Sequence, residues 1–154
     1  MKISEVMSAA AATQYPSDDL ATAAKKMWDQ RTGSLLVMDG EAVIGIITER
    51  DILKAVATGA SLAETTVADA MARDVITAHS GTSLREAAKL MTEHWIRHLP
   101  VMEHGKLVGI LSQRGLAGVL AGALNEPEAL EQLVEASELA REKRLRPIEK
   151  GAWD

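Results

Sequence analysis

Two segments of this chain, residues 3–59 and 67–123, repeat one pattern at a constant offset of 64 positions and without a gap. The register persists through both halves of the segment, which two unrelated amphipathic helices would not do. Matched pairs include Leu20 with Leu84, Met27 with Met91, Gly45 with Gly109 and Arg50 with Arg114. A fixed period is typical of a supersecondary unit that buries its apolar face against its twin. We therefore expect one domain built from two halves.

Composition narrows the possible classes of protein. The 154 residues are 47% hydrophobic and 25% charged, which is ordinary for a soluble domain with one core. The absence of cysteine excludes disulfides, thiol catalysis and cysteine-based metal sites. The start of the chain has no apolar signal core, and no stretch approaches the roughly 18 apolar residues of a membrane span, so we expect a cytoplasmic protein. A net charge of -5 and few aromatic residues disfavour nucleic-acid binding.

Each repeat reads as a helix, a hairpin and a second helix. In the first, Ser17-Asp18-Asp19 supplies a cap and first-turn acids, and helical spacing then predicts a helix over 18–31, ended by Gly33. Apolar runs at 35–38 and 43–47 flank an Asp-Gly turn and predict two antiparallel strands. Thr48 then caps a helix that stops at Gly59. The second repeat predicts a helix from Thr82-Ser83 to about Trp95, strands at 99–102 and 107–111, and a last helix after Ser112.

The repeats end in Gly-Ile-Ile-Thr-Glu-Arg-Asp (45–51) and Gly-Ile-Leu-Ser-Gln-Arg-Gly (109–115), and Arg97-His98-Leu99-Pro100-Val101 precedes the second hairpin. This pattern resembles the cystathionine β-synthase (CBS) domain family over residues 3–123. The resemblance implies an α+β fold of two tandem βαββα motifs in pseudo-twofold packing, known as a Bateman module. The expected divisions are 1–62 and 63–123 for the two motifs, 124–146 for a C-terminal amphipathic helix and 147–154 for a tail.

The resemblance also implies two clefts that can bind adenosine-containing ligands. At the end of the first repeat, Asp51 would accept hydrogen bonds from both ribose hydroxyls, with Thr48 beside ribose and phosphate. A carboxylate suits a vicinal diol because it has two acceptor oxygens. The alternative is a capping-box-like device, in which Thr48 and Asp51 only satisfy and complement the helix start. Free N–H groups at such a start also form a ready anion site.

The residues expected around Asp51 come from both repeats by analogy with the family. Ile46 and Ile96 would sandwich the adenine, the Ile76 backbone would read its edge, and Arg50 and Arg97 would meet phosphate unless they are solvated surface arginines. The full set is Gly33, Ser34, Ile46, Thr48, Arg50, Asp51, Met71, Ile76, Thr77, Ile96 and Arg97.

The second repeat departs from the family pattern because Gly115 stands where the ribose-binding aspartate should be. The helix cap survives this change, but the diol acceptor does not. We therefore expect a second cleft that is weakened or empty. Its predicted residues are Met7, Ala12, Thr13, Thr32, His98, Ile110, Ser112 and Arg114.

Other conspicuous residues favour structural readings. His94 and His98 lie four apart, but no further ligand completes a metal set, so we expect no metal site. Matched methionines at 27, 91, 38 and 102 are typical core residues rather than soft-metal ligands. Trp28 and Trp95 are not at matched positions, and exposure at a subunit contact is one reading of them.

The segment after the repeats carries its own helix signal. Asn125-Glu126-Pro127-Glu128 predicts a helix start, and an apolar stripe continues through Leu130, Leu133 and Val134. Acids fill its first half and bases its second. Such a helix either folds back on its own module or forms an antiparallel dimer contact, and the pattern favours neither. The short basic cluster gives few phosphate contacts, which disfavours nucleic-acid binding.

We find no nucleophile with a base, no paired carboxylates in a committed cleft and no phosphate-binding glycine loop. The expectation is a non-enzymatic regulatory module, with no obligatory cofactor, that binds AMP, ADP, ATP or S-adenosylmethionine, as in energy sensing. It would act as a homodimer and signal to an effector protein by a population shift. The alternative is a structural or interaction protein whose clefts are vestigial.

Overall fold

The computed structural model describes residues 1–9 and 11–123. In the first repeat the elements are β1 (Thr13–Gln14), α1 (Leu20–Gln30), β2 (Ser34–Asp39), β3 (Ala42–Thr48) and α2 (Glu49–Ala57). The second repeat begins with a short helix, α3 (Val67–Ala70). It continues with β4 (Ala78–His79), α4 (Leu84–Glu93), β5 (His98–Glu103), β6 (Lys106–Ser112) and α5 (Gln113–Ala123). The α+β class and the repeated βαββα order are confirmed. The helix predicted over 124–146 lies outside the described residues.

Two three-stranded sheets form, with the orders β1-β2-β3 and β4-β5-β6. Strand β1 runs parallel to β2, with Thr13 opposite Leu36, while β2 and β3 form the predicted antiparallel hairpin. The hairpin register places Leu36 opposite Ile46 and shifts at a bulge between Val37 and Met38. The first four residues of β2 are buried on both faces of the sheet, which explains why its sequence is a continuous apolar run rather than an alternating one.

Helix α1 shows why these residues form the predicted element. Asp19 caps the helix by accepting a hydrogen bond from the Thr22 N–H at 2.7 Å, and this bond holds the pKa of the carboxyl below its ordinary 3.8. Its inner face, Leu20, Ala23 and Met27, is buried. The helix thus begins at the predicted cluster of acids and presents the predicted apolar stripe to the core.

The end of α1 differs from the prediction. Arg31, not Gly33, takes the left-handed conformation (φ 52°), and the Thr32 N–H reaches back to the Met27 carbonyl at 3.0 Å. At the matched position of the second repeat, Trp95 has φ 55°. Each helix therefore ends earlier than its sequence suggested, because a non-glycine residue supplies the left-handed turn.

Contacts divide the chain into two compact units. Among the described residues, the first-repeat unit consists of Ser8–Thr77 with Pro100–Ile110, and the second-repeat unit consists of Met1–Met7, Ala78–Leu99 and residues 111–123. The first-repeat unit has a core built from the inner faces of α1, β2 and β3 and from α3. Its buried members include Leu20, Ala23, Met27, Leu35, Val37, Ile47, Val67 and Met71.

The segment that leads into each repeat packs on the other repeat. In the second-repeat unit, the N–H groups of Ile3 and Ser4 donate to the carbonyls of Thr82 (2.9 Å) and Ser80 (3.1 Å). In the first-repeat unit, the N–H groups of Val67 and Ala68 donate to the carbonyls of Asp18 (2.8 Å) and Pro16 (2.9 Å). These bonds are equivalent under the 64-residue offset. Both anchoring side chains, Ile3 and Val67, have no exposed surface.

Candidate functional site

The junction between β3 and α2 holds the Asp51 carboxylate in one position. Thr48 is extended (φ -125°, ψ 166°), and its N–H and hydroxyl both donate to Asp51 Oδ2, at 2.8 Å and 3.1 Å. The described residues make no hydrogen bond to the other carboxylate oxygen, Oδ1. The capping-box reading is therefore correct, and it leaves one acceptor oxygen of a partly buried carboxylate for a ligand.

A backbone bond joins this junction to the start of β2. The Glu49 N–H donates to the Gly33 carbonyl at 3.0 Å, so that Gly33 and the buried Ser34 lie next to the first turn of α2. A Cβ atom added to Gly33 would lie 3.3 Å from the Glu49 carboxyl carbon. A larger residue at position 33 would require the exposed Glu49 side chain to shift slightly.

The segment around Met71 pairs with β3 and packs against it. Ile46 and Ala72 exchange two backbone hydrogen bonds of 2.9 Å each, which extends the sheet edge by one bridge. This pairing presses Met71 against Gly45, where a Cβ would overlap the Met71 Sδ and lie 2.9 Å from its Cγ. Met71 thus packs on the Gly45 face of β3, while Ile46, the next residue of the strand, pairs with Ala72 through its backbone.

The remaining residues predicted around Asp51 lie in different settings. Arg50 is exposed on the first turn of α2, Ile76 is partly buried, and Thr77 is exposed at the end of the first-repeat unit. Ile96 and Arg97 follow the left-handed Trp95 and belong to the second-repeat unit. Their membership of a ligand site stays a prediction.

The second repeat has the same junction, capped by a hydroxyl without a carboxylate. Ser112 ends β6, and its hydroxyl oxygen accepts a hydrogen bond from the Gly115 N–H at 3.1 Å. In the first repeat, by contrast, the Thr48 hydroxyl donates to a carboxylate. A Cβ on Gly115 would meet only ordinary contacts, the nearest being Ser112 Oγ at 3.6 Å and Val6 Cγ1 at 3.8 Å. A side chain at position 115 would therefore have room beside Ser112.

The other residues predicted for the second cleft also have defined positions. Ile110 and Ser8 form the backbone bridge that corresponds to Ile46 with Ala72. The Thr13 carbonyl accepts a hydrogen bond from Lys26 Nζ, and the Thr32 hydroxyl donates to the Ser34 carbonyl at 3.2 Å. Other predicted members are the partly buried Met7, Ala12 and His98 and the exposed Arg114. Their common role in a cleft stays a prediction.

The hydroxyl cap at Ser112 is the one that the sequence predicted. Sequence reasoning missed the backbone bond from Glu49 to Gly33 and the hydrogen bond from Lys26 to the Thr13 carbonyl. In the described residues, no group of three or more His, Cys, Asp or Glu side chains is placed to hold a metal ion. None of the described helices combines the length and apolarity needed to cross a membrane.

Comparisons with known proteins identify the repeated unit. The family model of the CBS domain matches residues 3–58 and 67–122. A 17.7 kDa protein of Acidianus ambivalens is 38% identical over 121 residues, covering 77% of this chain and 73% of the relative. The CBS domain-containing protein YhcV of Bacillus subtilis is 31% identical over 116 residues, covering 75% and 82% of the two chains.

Solved structures agree with this match. A protein with CBS domains from Burkholderia ambifaria is 33% identical, with a TM-score of 0.75, and the match covers 78% of this chain and 93% of that one. The CBS domain pair of protein MJ0100 was solved with 5′-methylthioadenosine and S-adenosyl-L-methionine. It is 27% identical, with a TM-score of 0.73, and the match covers 79% of this chain and 97% of that one. The resemblance inferred from the repeated motifs is confirmed.

Proposed function

Because this chain belongs to the CBS domain family and carries two CBS domains in tandem, we propose that it is a non-catalytic regulatory module that binds an adenosine-containing ligand around Asp51. The observation that carries the proposal is the Asp51 carboxylate, which Thr48 holds through Oδ2 while Oδ1 accepts no bond from the described residues. Because Thr48 occupies Oδ2, Oδ1 alone would accept from the ribose diol, and its two lone pairs allow this.

The proposed ligand class rests on a similar solved structure and on the chemistry around Asp51. The MJ0100 pair, whose fold this chain shares, binds two adenosine derivatives, which supports an adenosine ligand here. Ile46 offers an apolar surface for a base, and Arg50 offers a positive charge for phosphate. Candidates are AMP, ADP, ATP, S-adenosylmethionine and 5′-methylthioadenosine.

The regulatory action is a population shift in which the bound ligand favours one conformation of the module. We propose that the module acts as a homodimer in the cytoplasm and that an effector protein senses this conformation.

The ligand assignment is tested by thermal unfolding with each candidate. A ligand that binds only the folded protein stabilises it by about 2.7 kcal/mol when its free concentration is about 100 times Kd. We expect at least one candidate to raise the melting temperature of the wild type, and Asp51→Ala to abolish this rise. A rise that Asp51→Ala retains in full would refute the site.

A matched control separates ligand binding from helix capping, since Asp51→Ala also removes a cap. Glu86 occupies the same place in the capping box of α4, where the Ser83 N–H and hydroxyl donate to its Oε2 at 3.2 Å and 2.9 Å. These bonds lower the pKa of the Glu86 carboxyl from its ordinary 4.5. Glu86→Ala should lower the melting temperature without ligand and keep the ligand-induced rise.

The alternative function, a structural or interaction protein with vestigial clefts, is favoured by the junction at Gly115, which is capped without any carboxylate. This alternative predicts no response of the wild type to any candidate. Asp51→Ala and Glu86→Ala would then behave alike, each showing only the loss of a helix cap.

A further inference from the structure

The start of α2 uses several of its hydrogen-bond donors within the protein. Both donors of Thr48, the N–H and the hydroxyl, are bonded to Asp51 Oδ2 at 2.8 Å and 3.1 Å. The next N–H, that of Glu49, donates to the Gly33 carbonyl at 3.0 Å. Phosphate groups are held by donors of this kind, which helix starts commonly supply. The donors of Thr48 and Glu49 are therefore not available to a phosphate.

Two carboxylates lie at the same junction. The Asp51 carboxylate is bonded to Thr48. The Glu49 carboxylate lies next to Gly33, where a Cβ atom would be 3.3 Å from the carboxyl carbon and 3.4 Å from both oxygens. Arg50, exposed on the same turn, sets one positive charge against these two negative ones. A phosphate beside this turn would meet net repulsion, and like charges placed together disfavour a binding partner.

The second repeat shows that the fold does not require this arrangement. Gln113 stands at the position of Glu49, and Gly115 stands at that of Asp51. The first turn of α5 consequently contains no acid. The Ser112 hydroxyl accepts from the Gly115 N–H at 3.1 Å and keeps its own proton for another acceptor. A helix start of this kind forms without either carboxylate, so neither is needed to build it.

We propose that the Asp51 site selects adenosine derivatives without a phosphate on C5′, and that Glu49 is a residue that determines this specificity. The C5′ substituent is carried by the same ribose whose hydroxyls donate to Asp51, so it lies within the electrostatic field of this turn. An uncharged or cationic substituent needs no donor from Thr48 and is not repelled. This inference rests on the proposed function and narrows its ligand class to compounds such as 5′-methylthioadenosine and S-adenosylmethionine.

Isothermal titration calorimetry with adenosine and AMP tests the proposal, because these two probes differ only in the phosphate. The wild type should bind AMP at least about 10-fold more weakly than adenosine. Raising the salt concentration from about 0.1 M to about 1 M shortens the Debye length from about 10 Å to about 3 Å. Since this screens repulsion, the ratio of the AMP Kd to the adenosine Kd should fall. A ratio of one or less, or a ratio that does not fall with salt, would overturn the proposal.

Two matched variants test the role of Glu49. Glu49→Gln introduces the residue of the second repeat, removes one charge at nearly constant size, and should lower the ratio by about 3-fold. Glu41→Gln removes the same charge just before β3, at the end of the strand remote from Thr48 and roughly 20 Å away at the usual strand rise. It should leave the ratio unchanged. An unchanged ratio in Glu49→Gln, or an equal fall in Glu41→Gln, would overturn the role of Glu49.

Failure of the proposed function has a different signature in the same titrations. If neither adenosine nor AMP binds, or if Asp51→Ala binds both as tightly as the wild type does, the Asp51 site is wrong and its specificity is wrong with it. If both probes bind in an Asp51-dependent way but AMP binds as tightly as adenosine, the site stands and only the specificity is overturned.

Discussion

Two pairs of residues decide what each junction can do. Thr48 and Asp51 place a carboxylate at the start of α2, whereas Ser112 and Gly115 satisfy the start of α5 with a hydroxyl alone. The sequence predicts this difference, because a 64-residue offset that holds elsewhere fails at the position of the carboxylate. The sequence also predicts the hydroxyl caps, but not that the Thr48 N–H and hydroxyl both donate to the same oxygen of Asp51, since a carboxylate has two acceptor oxygens.

Restoring the carboxylate should create a second ligand site. Gly115→Asp is expected to fold, because the Cβ would lie 3.6 Å or more from its nearest neighbours. Its carboxylate can accept from Ser112, as Asp51 accepts from Thr48. Isothermal titration calorimetry with whichever adenosine ligand stabilises the wild type should show the number of sites rising from one to two.

The control for this experiment lies on the same helix. Nothing lies within 4 Å of a Cβ at Gly118. Gly118→Asp therefore adds the same charge to α5 away from Ser112, and it should leave one site. Two sites in both variants, or one in both, would show that the carboxylate at position 115 does not define a site.

Among the elements, strand β3 shows how the segment that follows helix α3 becomes part of a sheet edge. Met71 and Ala72 follow α3 directly, and their pairing with Gly45 and Ile46 needs a strand without a side chain at position 45. The sequence predicts β3 from its apolar run, but a single glycine within a strand only indicates that something approaches closely. Only the tertiary structure shows that Met71 is the residue that approaches Gly45.

Gly45→Ala should therefore destabilise the protein by about 1–3 kcal/mol, as overpacking of a core does. The new methyl group would overlap Met71 and lie 3.0 Å from the Ala72 carbonyl oxygen, and this backbone atom cannot move aside as a side chain can. Urea unfolding monitored by circular dichroism measures the change. Gly118→Ala, in open space on α5, should raise the free energy of unfolding by up to about 1 kcal/mol. Equal effects of the two substitutions would contradict this account.

At the scale of the whole molecule, the two repeats exchange their leading segments, so that each compact unit contains the leading segment of the other repeat. Residues 1–7 complete the unit of the second repeat, and residues 67–72 pair with the first. The predicted order of elements is confirmed, yet each unit is not one continuous repeat. The alignment of two copies shows that their leading segments are equivalent, but not which copy each segment packs against.

The exchange makes the extreme N-terminus part of a core. Ile3 has no exposed surface, so Ile3→Ala should lower the free energy of unfolding by about 2–5 kcal/mol, although terminal residues are usually tolerant of change. Urea unfolding tests this. The neighbouring Lys2→Ala, at an exposed side chain, should change the free energy by less than about 0.5 kcal/mol. A small effect of Ile3→Ala would mean that the N-terminal segment does not hold the unit.

The sequence alone determined the repeat, the type and order of its main elements, and the difference between Asp51 and Gly115. It could do so because hydrophobic periodicity, caps and turns are local, and because two copies in one chain can be compared position by position. Only the tertiary structure decided which repeat each leading segment joins, which residue presses on Gly45, and that Trp28 lies exposed. Those features depend on contacts between residues far apart in the chain, and local patterns do not encode them.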